Sequence, residues 1–331
     1  MIEQAQNKKI LVTGHLGFIG FHCVKKLLDN GLNVIGIDSL NDYYDVSLKE
    51  SRLTELNSHK NKNFKSIIHN LAKKDTKELL KEISPNIVIN LAAQAGVRHS
   101  LEHPEDYIEN NIYSYLNILE YAKDNDVEKI VYASTSSVYG GNEKLPFSET
   151  DEVIKPLQFY AVTKRTNELM SEAYSSLYGI KSIGLRFFTV YGPFGRPDMA
   201  LFLFTKNILD DLPINVFNNG EHMRNFTYVD DIVEGVVSAA IKEPNFPMKN
   251  HEILNLASKE QIDLMDFIKE IEANLGKKAK MNFMPLQKGD VPSTASDISK
   301  MEKFFDYSPQ TSMKEGVKNF IDWYLEYYKK N

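Results

Sequence analysis

A phenol becomes a useful acid or base when a nearby cation stabilises its ionised form, and a lysine one helical turn away supplies that cation compactly. Among the seventeen tyrosines of this 331-residue chain, only Tyr160 is followed four places later by a lysine, Lys164. On a helix this spacing puts both side chains on one face. Thr135 stands 25 residues earlier (160 − 135 = 25), just after the apolar run Ile130–Ala133. Its hydroxyl would bond the same reacting alcohol that Tyr160 deprotonates. The competing reading is a surface lysine lying over a core tyrosine.

A second constellation says what would accept the electrons. The run Ile10–Val12 leads into Thr13-Gly14-His15-Leu16-Gly17-Phe18-Ile19-Gly20, which opens a helical pattern. Glycines there allow a tight turn, a close approach of backbone to pyrophosphate and close helix–strand packing, with the helix amino terminus facing the phosphates. A second apolar run ends at Asp38, 18 residues beyond Gly20 (38 − 20 = 18). A carboxylate at that place accepts hydrogen bonds from ribose hydroxyls and repels a 2′-phosphate, so the expected cofactor is NAD rather than NADP. With a nicotinium cation and the Lys164 ammonium both nearby, the Tyr160 phenol is expected to fall toward working pH. A dinucleotide fold that has lost its ligand is the alternative.

These residues need elements to hold them. Short Val- and Ile-rich runs occur at Ile10–Val12, Val34–Ile37, Ile87–Leu91, Ile130–Ala133 and Ile183–Phe187, with a weaker one at Phe64–Ile68. They hardly alternate, as expected of strands buried on both faces. Helical spacing fills the intervals, as in Phe18–Asn30, Pro104–Asn125 and Tyr160–Tyr178. The expected fold is α/β, a doubly wound parallel (Rossmann) sheet, followed by a smaller α/β carboxy-terminal lobe. After Phe187 prolines recur and loops lengthen. The expected division is 1–186 for the cofactor and 187–331 for the substrate, with 225–258 returning in part to the main sheet.

Composition removes other classes. A net charge of -6 argues against nucleic-acid and anionic-membrane partners. No apolar run approaches the roughly 20 residues of a membrane span. The polar start, Met1–Lys9, lacks the apolar stretch of a secretory signal, so a cytoplasmic location is expected. With Cys23 as the single cysteine, an intramolecular disulfide is impossible and no metal site is expected.

Nearly the whole chain resembles the extended short-chain dehydrogenase/reductases. The resemblance rests on Gly14-xx-Gly17-xx-Gly20, Asp38, Leu91-Ala92-Ala93, Ser134-Thr135-Ser136-Ser137-Val138-Tyr139-Gly140 and Tyr160-xxx-Lys164. It implies that Tyr160 is the acid/base, that Lys164 orients the nicotinamide ribose and that Thr135 assists at the substrate hydroxyl. It also implies cofactor contacts from Phe18, Ile19, Asn70 and Leu71. Asn70 departs from the usual Asp, although its amide can still bond adenine. Ser39 replaces a common Asn.

Within that family, sugar-nucleotide 4,6-dehydratases carry Asp-Glu directly after their Thr. Here Ser136 and Ser137 stand there, so the groups for elimination are missing. The stretch Leu185 to Ala200, with Thr189 and Arg196, resembles the signature of UDP-glucuronate 4-epimerases. The substrate class this implies carries a carboxylate at C6. Ser136, Ser137, Thr189 and the Arg196 guanidinium suit such a group, because Arg can bind a carboxylate through two parallel hydrogen bonds. An Arg196 serving only a loop salt bridge is the alternative. By the same resemblance Arg98 belongs to the substrate site, Arg224 grips the diphosphate and Asp290 contacts the nucleotide ribose. Asn225 replaces the usual Asp beside Arg224.

The implied activity is 4-epimerisation of a UDP-sugar through a 4-keto intermediate, with NAD tightly bound, in a homodimer joined by the helices Pro104–Asn125 and Tyr160–Tyr178. A role in polysaccharide biosynthesis would follow. Epimerisation of neutral UDP-hexoses, decarboxylation of UDP-glucuronate and a non-catalytic NAD-binding regulator are the rivals.

Overall fold

The computed structural model describes residues 5–287 and 289–329. Six strands follow the apolar runs closely: β1 (Lys9–Thr13), β2 (Asn33–Asp38), β3 (Phe64–Ile68), β4 (Ile87–Asn90), β5 (Lys129–Thr135) and β6 (Ser182–Phe187). A seventh strand, His251–Leu256, pairs with β6 and completes the sheet. Its order is His251–Leu256, β6, β5, β4, β1, β2, β3, and every pairing is parallel. Buried apolar side chains cover both faces, which is why the strands read as unbroken hydrophobic runs.

The chain winds outward from β1 through β2 to β3, then returns to β4 on the other side of β1. The order therefore reverses between β1 and β4, and a crevice opens at the carboxyl ends of those strands. Helix α1 (Phe18–Asp29) leaves β1 after the glycine turn.

One expected helix is not regular. The stretch after Pro104 is helical to Asp124, but Ile108–Tyr113 forms a π-turn between two α-helical pieces. The side chain of Asn111, buried in that turn, accepts from Gln94 N at 2.8 Å and donates to Gln94 O at 3.0 Å and Thr163 Oγ1 at 2.9 Å. A wider turn here thus fastens the loop after β4 to the long helix Phe159–Tyr178.

Beyond β6, short strand pairs alternate with helices. Thr189–Tyr191 pairs with Phe226–Tyr228, Met223–Arg224 with Ile262–Asp263, and Pro213–Val216 with Lys280–Phe283. Among the described residues, no helix is long and apolar enough to cross a membrane. No cluster of His, Cys, Asp and Glu among them could hold a metal ion.

Candidate active site

At the carboxyl ends of the strands lies a cavity of about 580 Å³. Every residue singled out above for the cofactor lines it, as do Arg98, Thr135, Ser136, Ser137, Thr189 and Arg196.

The glycines meet steric demands that no other residue satisfies. A Cβ on Gly14 would lie 2.8 Å from Ala92 N, and one on Gly20 would lie 2.0 Å from Gly14 O. Gly17 caps α1 without any side-chain hydrogen bond, so the amides of the first turn face the cavity wall at Phe18 and Ile19. Asp38 is buried at the end of β2, where it accepts from Leu16 N at 3.1 Å and Leu40 N at 2.9 Å. Each oxygen retains a lone pair for a ribose hydroxyl. An uncapped helix end, a glycine cradle and a carboxylate held beside them fit a dinucleotide.

The long helix Phe159–Tyr178 brings the chemistry. Tyr160 and Lys164 are both buried on its inner face. Lys164 Nζ donates to Ala133 O on β5 at 2.9 Å, and burial pushes its ammonium down to about 8. Thr135 ends β5, its hydroxyl accepting from Ser137 N at 3.2 Å and hydrogen-bonding with Tyr160.

Without a cofactor cation, burial governs the Tyr160 phenol. Burial pushes the phenol above its ordinary value, opposed by the Arg196 charge and the Thr135 hydrogen bond. In the chain alone at neutral pH, Tyr160 is therefore a protonated phenol. The desolvation cost outweighs the two favourable contacts, and a cofactor cation would have to supply the remaining bias.

Arg196 reaches this site from the loop after the strand Thr189–Tyr191. Its guanidinium is already engaged: Nε donates to Asp198 Oδ1 at 3.0 Å, and Nη2 donates to Asp198 Oδ2 at 2.5 Å. Nη1 approaches Ala95 O at 3.4 Å. The Arg196–Asp198 salt bridge and the lining of the reaction cavity are thus both present.

Two candidates stand elsewhere. Arg224 pairs with Asp290 at 3.0 Å and donates to Pro292 O at 2.9 Å, and neither residue lines the cavity. Arg98 does line it, with its guanidinium 5.3 Å over the Phe217 ring and a hydrogen bond to Gln287. Asn225 is explained by its amide, which donates to Ser258 O at 3.1 Å and Glu260 O at 3.0 Å; an aspartate could donate to neither.

Several supporting residues gave no motif signal. Arg52 is fully buried, donating to Leu16 O at 2.6 Å and Phe194 O at 2.7 Å. It staples the glycine turn to the loop that carries Arg196. Thr13 Oγ1 donates to Asn90 Oδ1 at 2.6 Å and accepts from Ala92 N at 3.2 Å, shaping the wall after β4.

The model of the NAD dependent epimerase/dehydratase family matches residues 10–257. Protein CapI of Staphylococcus aureus is 47% identical, over 97% of this chain and 100% of that protein. A UDP-glucuronate 4-epimerase of Thermodesulfobacterium geofontis is 45% identical, over 96% of each. The crystal structure of the UDP-glucuronic acid 4-epimerase from Bacillus cereus, in complex with UDP-glucuronic acid and NAD, is similar with a TM-score of 0.89. It is 36% identical, over 97% of this chain and 100% of that one. With its parallel sheet, its glycine cradle and Tyr160-xxx-Lys164 at the cavity, this chain belongs to the NAD dependent epimerase/dehydratase family.

Proposed function

We propose that this chain is an NAD-dependent UDP-sugar 4-epimerase that interconverts UDP-glucuronate and UDP-galacturonate. The observation that carries the reading is Arg196, together with Ser136, Ser137 and Thr189, lining the same cavity as Tyr160 and Thr135. The names and bound ligands of the relatives support it.

The glycine turn, the first turn of α1, Asp38 and Lys164 would hold NAD, which would supply a reversible acceptor for the C4 hydrogen of the sugar and its electron pair. Asn70, Leu71 and Leu91-Ala92-Ala93 would flank its adenine and pyrophosphate. Tyr160 removes the O4 proton as the C4 alcohol becomes a ketone, and gives it back after the sugar has turned over. Thr135 hydrogen-bonds O4 and keeps it on line with the phenol. Arg98, Arg224 and Asp290 are assigned to the nucleotide diphosphate end, which stays fixed while the sugar rotates.

The 4-keto uronate is a β-keto acid. It would lose carbon dioxide if the C5–C6 bond aligned with the carbonyl π system. Ser136, Ser137, Thr189 and Arg196 are assigned to holding the carboxylate out of that alignment.

The division of labour follows: residues 1–186 hold the cofactor, 187–331 the nucleotide sugar, and 225–258 contribute partly to the main sheet. A homodimer is proposed through the helices of Pro104–Asn125 and Tyr160–Tyr178, whose outer faces expose Tyr113, Leu169 and Leu177. A cytoplasmic place in polysaccharide biosynthesis fits these assignments.

Purified protein given UDP-glucuronate without added NAD, followed by proton NMR, should form UDP-galacturonate. Formation of UDP-xylose or a 4-keto pentose alone would reject the reading. One observation favours neutral UDP-hexoses instead, namely that Asp198 already occupies the Arg196 fork. Under that reading Arg196→Ala leaves turnover almost untouched; under ours it lowers kcat/KM for the uronate by about 100-fold.

A further inference from the structure

The turn that presents Arg196 also presents a carboxylate to it. Met199 N donates to Arg196 O at 3.1 Å, closing a β-turn with Pro197 and Asp198 at its centre. Proline pre-sets the backbone at the second position of such a turn. The loop is anchored just before this turn, by His22 at Pro193 O (2.9 Å) and by Arg52 at Phe194 O (2.7 Å). Asp198 therefore meets Arg196 in a set geometry and takes the Nε–Nη2 edge of the guanidinium.

Asp198 has a second anchor from the cofactor half of the molecule. The Tyr43 hydroxyl donates to Asp198 Oδ2 at 3.2 Å. Tyr43 is lodged tightly, since a Cβ on Gly96 would lie 2.2 Å from its hydroxyl and its ring stands edge-on to His99 at 5.0 Å. Burial, followed by the Asp198 charge, pushes the Tyr43 phenol up, so it keeps its proton and serves as the donor.

We propose that Asp198, held by Tyr43, is a positioning residue for Arg196 that occupies the Nε–Nη2 edge of the guanidinium and leaves the Nη1–Nη2 end, where Nη1 also approaches Ala95 O, to the sugar carboxylate. This rests on the uronate reading of the site. A guanidinium with both edges free would bind a uronate side-on or end-on, through two parallel bonds in either pose and with its whole charge. It would grip both epimers and the ketone alike, which strengthens binding without speeding reaction. It would also resist the rotation that presents the other face of the ketone. Asp198 shares the charge and restricts the contact, so the carboxylate is held yet the sugar can turn.

The test compares wild type with Asp198→Asn, Asp198→Ala and Tyr43→Phe on UDP-glucuronate and UDP-glucose. Retained NAD and melting temperature are measured for each protein. Freeing the Arg196 edge should lower KM for UDP-glucuronate by about tenfold while kcat falls by about tenfold. KM for UDP-glucose should stay within twofold. Tyr43→Phe should shift both uronate constants the same way by about threefold. A merely structural role predicts instead that KM rises as kcat falls, on both sugars. That result, or constants unchanged within twofold, overturns the proposal. Wild type that leaves UDP-glucuronate unconverted while epimerising UDP-glucose defeats the uronate reading and this inference with it. Wild type active on the uronate but indifferent to Asp198→Asn defeats only the inference.

Discussion

Glu168 and Arg186 face each other through two parallel hydrogen bonds, Nε to Oε1 at 2.9 Å and Nη2 to Oε2 at 3.0 Å, with both side chains almost wholly buried. Glu168 lies one helical turn beyond Lys164 and two beyond Tyr160, so the pair sits on the face that carries the chemistry. Ser134 Oγ also donates to Glu168 Oε1 at 2.6 Å, one residue before Thr135. The pair thus ties the reactive helix to β5 and β6 and sets the distance between Tyr160 and Thr135.

Removing one partner leaves a buried charge without compensation. Glu168→Gln should lose about 3–5 kcal/mol in urea unfolding at pH 7, whereas Glu168→Met with Arg186→Met should recover most of it. Burial pushes the Glu168 carboxyl up, but the Arg186, Ser134 and Arg165 contacts prevail and hold it below 4.5. A lowered acid stabilises the fold above its unfolded value. The contribution is therefore full above pH 4.5 and fades as pH falls through the folded value. A wild-type advantage over the double variant that stayed constant from pH 7 to pH 3 would contradict this.

Lys164 works in the opposite sense. Its folded value of about 8 lies below the ordinary 10.5, so the unfolded chain binds the extra proton between those limits. Stability should therefore rise with pH across 8 to 10.5, and the full penalty is present below 8. Lowering the ammonium from 10.5 to about 8 corresponds to about 3 kcal/mol. The hydrogen bond to Ala133 offsets about 1 kcal/mol of that when Lys164 is replaced. Lys164→Met, freed of dinucleotide, should be about 2 kcal/mol more stable than wild type at pH 7 yet without turnover. Equal stabilities at pH 7, read by urea titration, would contradict the buried-ammonium account.

What could be read from the chain without coordinates divides along a physical line. Gly14, Gly17, Gly20 and Asp38 announce themselves because a phosphate-facing turn and a ribose partner impose needs within 25 residues. Tyr160 and Lys164 do so because one helical turn joins them. Asp198 and Tyr43 meet across 155 positions (198 − 43 = 155), and only the folded loop brings that carboxylate under that phenol. Arg52 lies on the helix Val46–Ser58 with no motif to set it apart, yet it is buried whole between two loops. The balance at Tyr160 divides in a related way: neighbouring charge was legible in the sequence, whereas the depth of burial opposing it was not.

The glycine turn makes a sharp structural prediction. Gly20→Ala would drive a methyl to 2.0 Å from Gly14 O, a backbone atom that cannot swing aside. Either α1 moves off β1 or the turn opens, and both spoil the cradle for the pyrophosphate. The variant should lose bound NAD on gel filtration and about 3 kcal/mol of stability. Gly31, which has open space around the added atom but a φ of +76°, should lose about 1 kcal/mol as Gly31→Ala and keep its NAD. If both variants retain cofactor equally, the steric argument fails.

The reactive phenol offers the most direct reading of the chemistry. Tyr160→Phe removes the proton carrier without changing shape, so turnover should fall by about 1000-fold, while NAD and UDP-sugar binding stay within a few-fold. Thr135→Val tests the tuning. Burial holds the phenol up, and the Arg196 charge and the Thr135 hydrogen bond bring it part of the way back. Deleting that bond must raise the phenol further, because it favours the ionised form. Oxidation of the C4 alcohol needs phenolate, so the rising limb of kcat/KM against pH should move to higher pH in Thr135→Val. At neutral pH the rate then falls, and raising the pH restores part of it. A limb that stays in place while the plateau drops would mean that Thr135 only orients the sugar hydroxyl and leaves the proton affinity of Tyr160 untouched.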